Sequence, residues 1–116
     1  MASKLDIRTE DHGPVCVISL TGMLDGHTAP ALERELHLLH EQGCRRMVMD
    51  LAGLTYIASA GVGIMINYFQ QVSQDGGNLR IARPSPTVKE IFSLLGLETL
   101  LSIHTDLDEA IDGASA

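Results

Sequence analysis

The order in which two periodicities alternate along the chain constrains its fold more than any other feature. Short β-branched or alternating runs are followed by longer stretches with apolar residues three and four apart. Leu5-Asp6-Ile7-Arg8 alternates apolar and polar, Asp11-His12-Gly13-Pro14 is a turn cluster, and Val15 to Leu20 is a β-branched run. These predict a hairpin, ended by Thr21-Gly22. A helix is predicted from Thr28 to Gln42, with the Thr28 hydroxyl as cap, Pro30 in the first turn and Gly43 as the stop. Leu32, Leu36 and Leu39 form its apolar stripe.

Arg46 to Leu51 predicts a buried strand, Gly53 to Ala58 a loop, and Ala60 to Gln74 a helix. That helix turns Val62, Met65, Ile66, Phe69 and Val72 inward. Asp75 to Asn78 is a turn and Leu79 to Ala82 a strand. Pro84-Ser85-Pro86 opens a third helix with Val88, Ile91, Phe92 and Leu95 inward and Gly96 at its end. Leu100 to His104 predicts a last strand. Asp106 and Glu109 have capping-box spacing for a terminal helix, and residues 113–116 are expected to fray. The order β-β-α-β-α-β-α-β-α implies an α/β fold: a mixed sheet whose parallel strands are joined by right-handed crossovers under packed helices.

At 116 residues the chain suits one domain spanning 1–116. Aromatic residues are 3% and Trp is absent, so the core must be aliphatic and no deep aromatic cofactor pocket is expected. The formal net charge of −7 argues against nucleic acid and anionic membranes, which need clustered Lys and Arg. Arg45-Arg46 is the only adjacent basic pair. An acidic binding module suits a partner with a basic face. No apolar run approaches the roughly 20 residues of a membrane span, and Met1 to Arg8 lacks the order of a signal peptide. A cytoplasmic protein with Cys16 and Cys44 as free thiols is expected.

The segment Asp50-Leu51-Ala52-Gly53-Leu54-Thr55-Tyr56-Ile57-Ala58-Ser59-Ala60-Gly61-Val62-Gly63 carries the most functional information. Ser59 sits at a helix start between small residues. Gly61 and Gly63 disfavour the helix but let another backbone approach. A capping serine needs no function. Three functional readings stand beside that one. Ser59 and Gly61 partly match a nucleophile elbow, but Ile57 replaces its first glycine. The helix start offers N–H groups to a phosphate but has no lysine of a nucleotide loop. Alternatively, Ser59 accepts a phosphoryl group, whose charge the helix macrodipole favours. His37 and His40 are three apart on the first helix, without an evident third metal ligand, so no metal is expected. Asp25 lies in a strand-to-helix loop, as an Asx-turn residue or a surface contact near Ser59.

Several segments together resemble the STAS family, and most closely its bacterial anti-sigma factor antagonists. They are Leu20-Thr21-Gly22-Met23-Leu24-Asp25 with His27-Thr28-Ala29, Asp50-Leu51 through Gly63, Gly76-Gly77 before a strand, and Pro86-Thr87-Val88 before a helix. The resemblance implies a STAS-type fold and no enzymatic activity. It implies binding, in the unphosphorylated state, to an anti-sigma factor that is also a serine kinase of histidine-kinase-like ATPase fold, which frees a sigma factor. The resemblance further implies that phosphorylation at Ser59 switches the domain off and that a PP2C-type phosphatase resets it. The alternative is a non-phosphorylated STAS scaffold domain in a signalling assembly. Asp25, Thr28, Ala58, Ser59, Ala60, Gly61 and Gly63 map to the partner surface. Ala58 stands where the family usually has Asp, and Ala60 where Ser or Thr is frequent. No cofactor, nucleic acid or membrane partner is implied, and a monomer or weak homodimer is expected.

Overall fold

The computed structural model describes residues 4–116. Ten elements follow in order: β1 (Leu5–His12), β2 (Val15–Leu24), α1 (Ala29–Glu41), β3 (Arg46–Ile57), α2 (Ser59–Gln74), β4 (Asn78–Ala82), α3 (Pro86–Leu94), a 3-10 turn (Leu97–Thr99), β5 (Ser102–His104) and α4 (Leu107–Ser115). The sheet order is β1-β2-β3-β4-β5; β1 and β2 are antiparallel and the other neighbours parallel. This is the mixed α/β sheet expected from the alternation of patterns.

Side-chain alternation along the strands divides the interior into two layers. Ile18 and Leu20 of β2, Met47, Met49 and Leu51 of β3, and Leu79 and Ile81 of β4 face α1, α2 and α3 in the larger cluster. Val15, Val17, Val48 and Ala82 face the opposite way and pack under Ala110 and Ala114 of α4. α4 closes this smaller layer with Ala110 and Ala114 buried and Leu107 and Ile111 half-buried beside them.

The strands run further than the sequence predicts. β2 continues through Thr21-Gly22 to Leu24, and β3 continues through the predicted 53–58 loop to Ile57. Two register shifts make this possible. Ser19 pairs with Asp50 but Thr21 with Gly53, and Gly22 pairs with Leu54 but Met23 with Tyr56. Each shift inserts one extra residue into β3, which is a β-bulge. Gly53 permits the first: a Cβ there would lie 2.6 Å from Thr21 Oγ1. Gly22 has φ +113°, and a Cβ on it would meet the Lys4 carbonyl oxygen at 2.3 Å. The glycines read as breakers are the residues that let the two strands stay paired.

Other expectations are corrected in detail. Leu95 is exposed rather than inward, because α3 stops at Leu94. Ile66 and Phe69 are only half-buried, while Ile64 and Tyr68 are buried. The expected tail is drawn into α4, which reaches Ser115: Ala114 is buried, and Arg46 donates to the carbonyls of Ala114 and Ala116 at 2.9 and 2.5 Å. Gly113 adds to this, since its missing side chain lets α4 lie directly on the Arg80 guanidinium. Cys16 and Cys44 are free and half-buried.

Candidate functional site

Ser59 is the first residue of α2, so the cap position falls to Ala58. Ala58 has φ −104° and ψ 170°, the extended geometry of an N-cap, but no side-chain oxygen to use it. Its carbonyl accepts from Gly61 N at 3.0 Å and Val62 N at 3.2 Å. No side chain caps the start of α2. The Ser59 hydroxyl is therefore not engaged as a cap, contrary to the simplest structural reading of a serine at this place. Ser59 and Ala60 are exposed and Ala58 is half-buried.

The Asp25 loop is tied to the same place by the sheet. Leu24 pairs with Ile57, and the Ala58 amide donates to the Leu24 carbonyl at 2.8 Å. The chain leaves both strands side by side, bringing residues 25–28 next to residues 58–61. Asp25 Oδ1 accepts from His27 N at 2.9 Å and Thr28 N at 3.3 Å, an Asx-type turn. Thr28 does not cap α1 with its hydroxyl. That group donates to the Met23 carbonyl at 2.8 Å and accepts from the Asp25 amide at 3.0 Å. Thr28 is buried, so it holds the loop against the end of β2 instead of presenting itself to a partner.

The two glycines have different roles. Gly61 is buried, and a Cβ on it would fall 2.5 Å from Leu24 Cγ and 3.3 Å from Ile57 Cγ1. It admits the protein's own β2, not a visitor. Gly63 is exposed with nothing within 4 Å of a would-be Cβ, so open space lies above it.

Met23 and Tyr56 were not read from the sequence. They pair across β2 and β3 and are 39% and 42% exposed, two large apolar side chains beside the Asp25 and Ser59 loops. Leu24 and Ile57 next to them are buried, which turns Met23 and Tyr56 to the other side of the sheet. Recognising 53–57 as strand would have exposed this alternation. His37 and His40 do not converge: His37 faces Glu41 at 3.5 Å and His40 faces Asp75 at 3.2 Å.

Behind the site, buried Asp50 holds Arg83. Arg83 Nε donates to Asp50 Oδ1 at 3.1 Å and Nη2 to Oδ2 at 2.5 Å, and the Ala52 amide also donates to Oδ1. The hydrogen bond to Asp50 pushes the Arg83 guanidinium further above its ordinary pKa. Arg83 adopts φ +53°, rare for a residue with a side chain. The fork onto Asp50 offsets that backbone strain and fixes the corner between β4 and α3.

Comparison with known proteins places this arrangement. The STAS domain model matches residues 6–110, and the chain belongs to the STAS domain family. It is 26% identical over 101 residues to the anti-sigma F factor antagonist of Paenibacillus polymyxa, a match covering 86% of each chain. SpoIIAA, an anti-sigma factor antagonist, in its unphosphorylated form aligns with TM-score 0.81 at 25% identity over 95% of this chain and 96% of that one. The Bacillus cell fate determinant SpoIIAA in the phosphorylated form aligns with TM-score 0.72 at 25% identity over 92% and 97%. An anti-sigma factor antagonist from Mycobacterium paratuberculosis shares the fold with TM-score 0.89 at 24% identity, over 97% and 96%.

Proposed function

We propose that this protein is a cytoplasmic anti-sigma factor antagonist without enzymatic activity. It binds an anti-sigma factor through the surface around the start of α2, and a phosphoryl group on Ser59 switches that binding off. The observation that carries this reading is the exposed Ser59 at the first turn of a helix that no side chain caps. The similarity to SpoIIAA, seen both unphosphorylated and phosphorylated, supports it. The partner is an anti-sigma factor that is also a serine kinase of histidine-kinase-like ATPase fold, and a PP2C-type phosphatase reverses the modification. The antagonist acts as a monomer or weak homodimer of one STAS domain.

The local physics suits a switch that works at the interface. A phosphoserine carries about −1.5 to −2 charges, and the free N–H groups at the start of α2 favour it by about 0.3–1 kcal/mol. The fold thus tolerates the modification. A partner surface of about 800 Å² that covers Met23, Tyr56, Ala60 and Gly63 would bury the dianion, at a cost of several kcal/mol where it meets like charge. Each 1.4 kcal/mol is about tenfold in affinity. Asp25 lies on the same surface as a further contact, while Thr28 and Gly61 hold its shape.

Incubation with the cognate anti-sigma factor and ATP tests the modification directly. Stoichiometric addition of one phosphoryl group, mapped to Ser59 by peptide mass spectrometry and absent in Ser59→Ala, is expected. A second reading, a constitutive scaffold that is never phosphorylated, is favoured by Ala58 in place of the family's usual Asp. It gains if the kinase modifies other antagonists under the same conditions but leaves this chain untouched.

A further inference from the structure

β1 is one edge of the sheet and β5 the other. β5 spans three residues, whereas β1 spans eight, without a proline or a break in its pairing with β2. A long, regular edge is a template for another strand. The Met23 amide donates to the Lys4 carbonyl at 2.9 Å, so Lys4 and Met23 form a hydrogen-bonded pair of the ladder. By alternation Asp6 with Thr21, Arg8 with Ser19 and Glu10 with Val17 do the same. Leu5, Ile7 and Thr9 between them therefore turn their N–H and C=O groups to the open side.

The side chains of this edge are self-complementary in one register. Leu5 and Ile7 lie on the helix-bearing face, half-buried against the larger core cluster. Lys4, Asp6, Arg8 and Glu10 lie on the other face, exposed and alternating in sign. Arg8 and Asp6 are 82% and 59% exposed, so their mutual ion pair at 3.1 Å is solvated and contributes little. A second copy laid antiparallel with Ile7 against Ile7 sets Asp6 against Arg8 and Lys4 against Glu10 on both sides of the axis. Leu5 then faces Thr9, and the outward groups form about six backbone hydrogen bonds. Neighbouring registers are poorer. Centring the pair on Asp6 opposes Asp6 to Asp6 and Lys4 to Arg8. Centring it on Arg8 opposes Arg8 to Arg8 and Asp6 to Glu10. Centring it on Thr9 sets Ile7 against Asp11 and gives up the apolar contact.

We propose that β1 is a homodimer interface, at which a second copy of this chain adds its own β1 antiparallel with Ile7 on the two-fold axis. The contact is isologous and joins the two sheets into one, with both helical layers on the same side. A contact confined to one strand lies at the low end of interface size, so the dimer is weak and reversible. Because the paired strands run oppositely, the starts of α2 in the two copies point to opposite ends of the joined sheet. The dimer thus presents two Ser59 surfaces. That bivalence rests on the anti-sigma factor reading, whereas the pairing of β1 does not.

Sedimentation velocity of the intact protein, from micromolar to millimolar concentration, tests the interface and should show a monomer–dimer equilibrium. Asp6→Arg sets cation against cation across the axis, and Arg8→Asp sets anion against anion. Each should weaken dimerisation about tenfold or more. An equimolar mixture of these two variants restores opposite charges at both places, in this register alone, and should associate as the parent does. Both side chains are exposed, and circular dichroism checks that the variants keep the fold. Thr9→Pro removes an outward N–H without touching the ladder to β2 and should also give monomer. A parent that stays monomeric, any single variant that dimerises like the parent, or a mixture that stays monomeric would each overturn the assignment. The measurement contains no anti-sigma factor, so its failure leaves the reading of Ser59 standing.

Discussion

Replacing Ala58 with Asp probes the start of α2 more sharply than changing Ser59 itself. The Ala58 backbone already has the extended N-cap geometry, so an Asp there can accept from the Ala60 amide, or share the Gly61 amide with the Ala58 carbonyl, without rearrangement. Supplying a missing N-cap is worth about 1 kcal/mol, and a negative charge at the helix start adds about 0.3–1 kcal/mol. At about 4 °C per kcal/mol for a chain near this length, Tm should rise by about 5–8 °C. The same amides serve a phosphate on Ser59. Installing phosphoserine at position 59 should therefore raise Tm in the parent protein. In Ala58→Asp the gain should shrink or reverse, because the carboxylate occupies the amides and repels the phosphate. Thermal denaturation of four species measures this coupling: the parent and Ala58→Asp, each with and without the phosphate. An unchanged or lower Tm for Ala58→Asp would mean that the start of α2 is not uncapped. Equal phosphate increments in both backgrounds would mean that the phosphate does not use it.

Further outcomes follow from the geometry. Gly61→Ala should destabilise by about 1–3 kcal/mol in urea denaturation, since its Cβ overlaps the Leu24 side chain. Gly63→Ala should stabilise by up to about 1 kcal/mol while weakening partner binding, and a pair with the opposite signs would refute the division between support and contact. Arg83→Met leaves the buried Asp50 carboxylate with one amide donor. Since Arg83 is itself half exposed, the loss should be about 1–3 kcal/mol, and Asp50→Asn in the same chain should recover part of it. Burial, then the neighbouring Cys44, pushes the Cys16 thiol up to about 12. The thiolate is the reactive species, so Cys16 should resist an aromatic disulfide reagent at pH 8 until the protein unfolds. Rapid modification of Cys16 in the native protein would contradict that environment. Above pH 9 the unfolded thiol ionises before the folded one, so stability should fall as pH rises toward 12.

The alternation of patterns made the sheet, its mixed direction and its helical layers legible in the sequence, because each element buries one face and periodicity reports that face. The misread parts share a cause. Thr21-Gly22 and Gly53 carry the signature of breaks, yet they relieve bulges within continuous strands. Local composition does not separate a glycine that ends a strand from one that bends it. The exposed pair of Met23 and Tyr56 was missed for that reason, since a loop has no faces to alternate. Ser59 was legible as an exposed residue at a helix start, but its place one residue inside the helix was not. Which of Ser59 and Ala58 caps the helix depends on backbone dihedrals set by the pairing of Leu24 with Ile57. Gly61 and Gly63 look alike in sequence, and only the approach of Leu24 distinguishes them. The Asp50–Arg83 fork joins residues 33 apart, and nothing in the local pattern announces it.

Binding of an anti-sigma factor by the surface around the start of α2, and its loss when Ser59 carries phosphate, can be measured in one calorimetric experiment. One anti-sigma factor is titrated with the unmodified protein, with Ser59→Ala and with site-specifically phosphorylated protein. The expected result is near-equal affinity for the first two and a loss of about a hundredfold or more for the third, as burying a dianion against like charge requires. Equal affinity for all three, with each folded by circular dichroism, would contradict the switch.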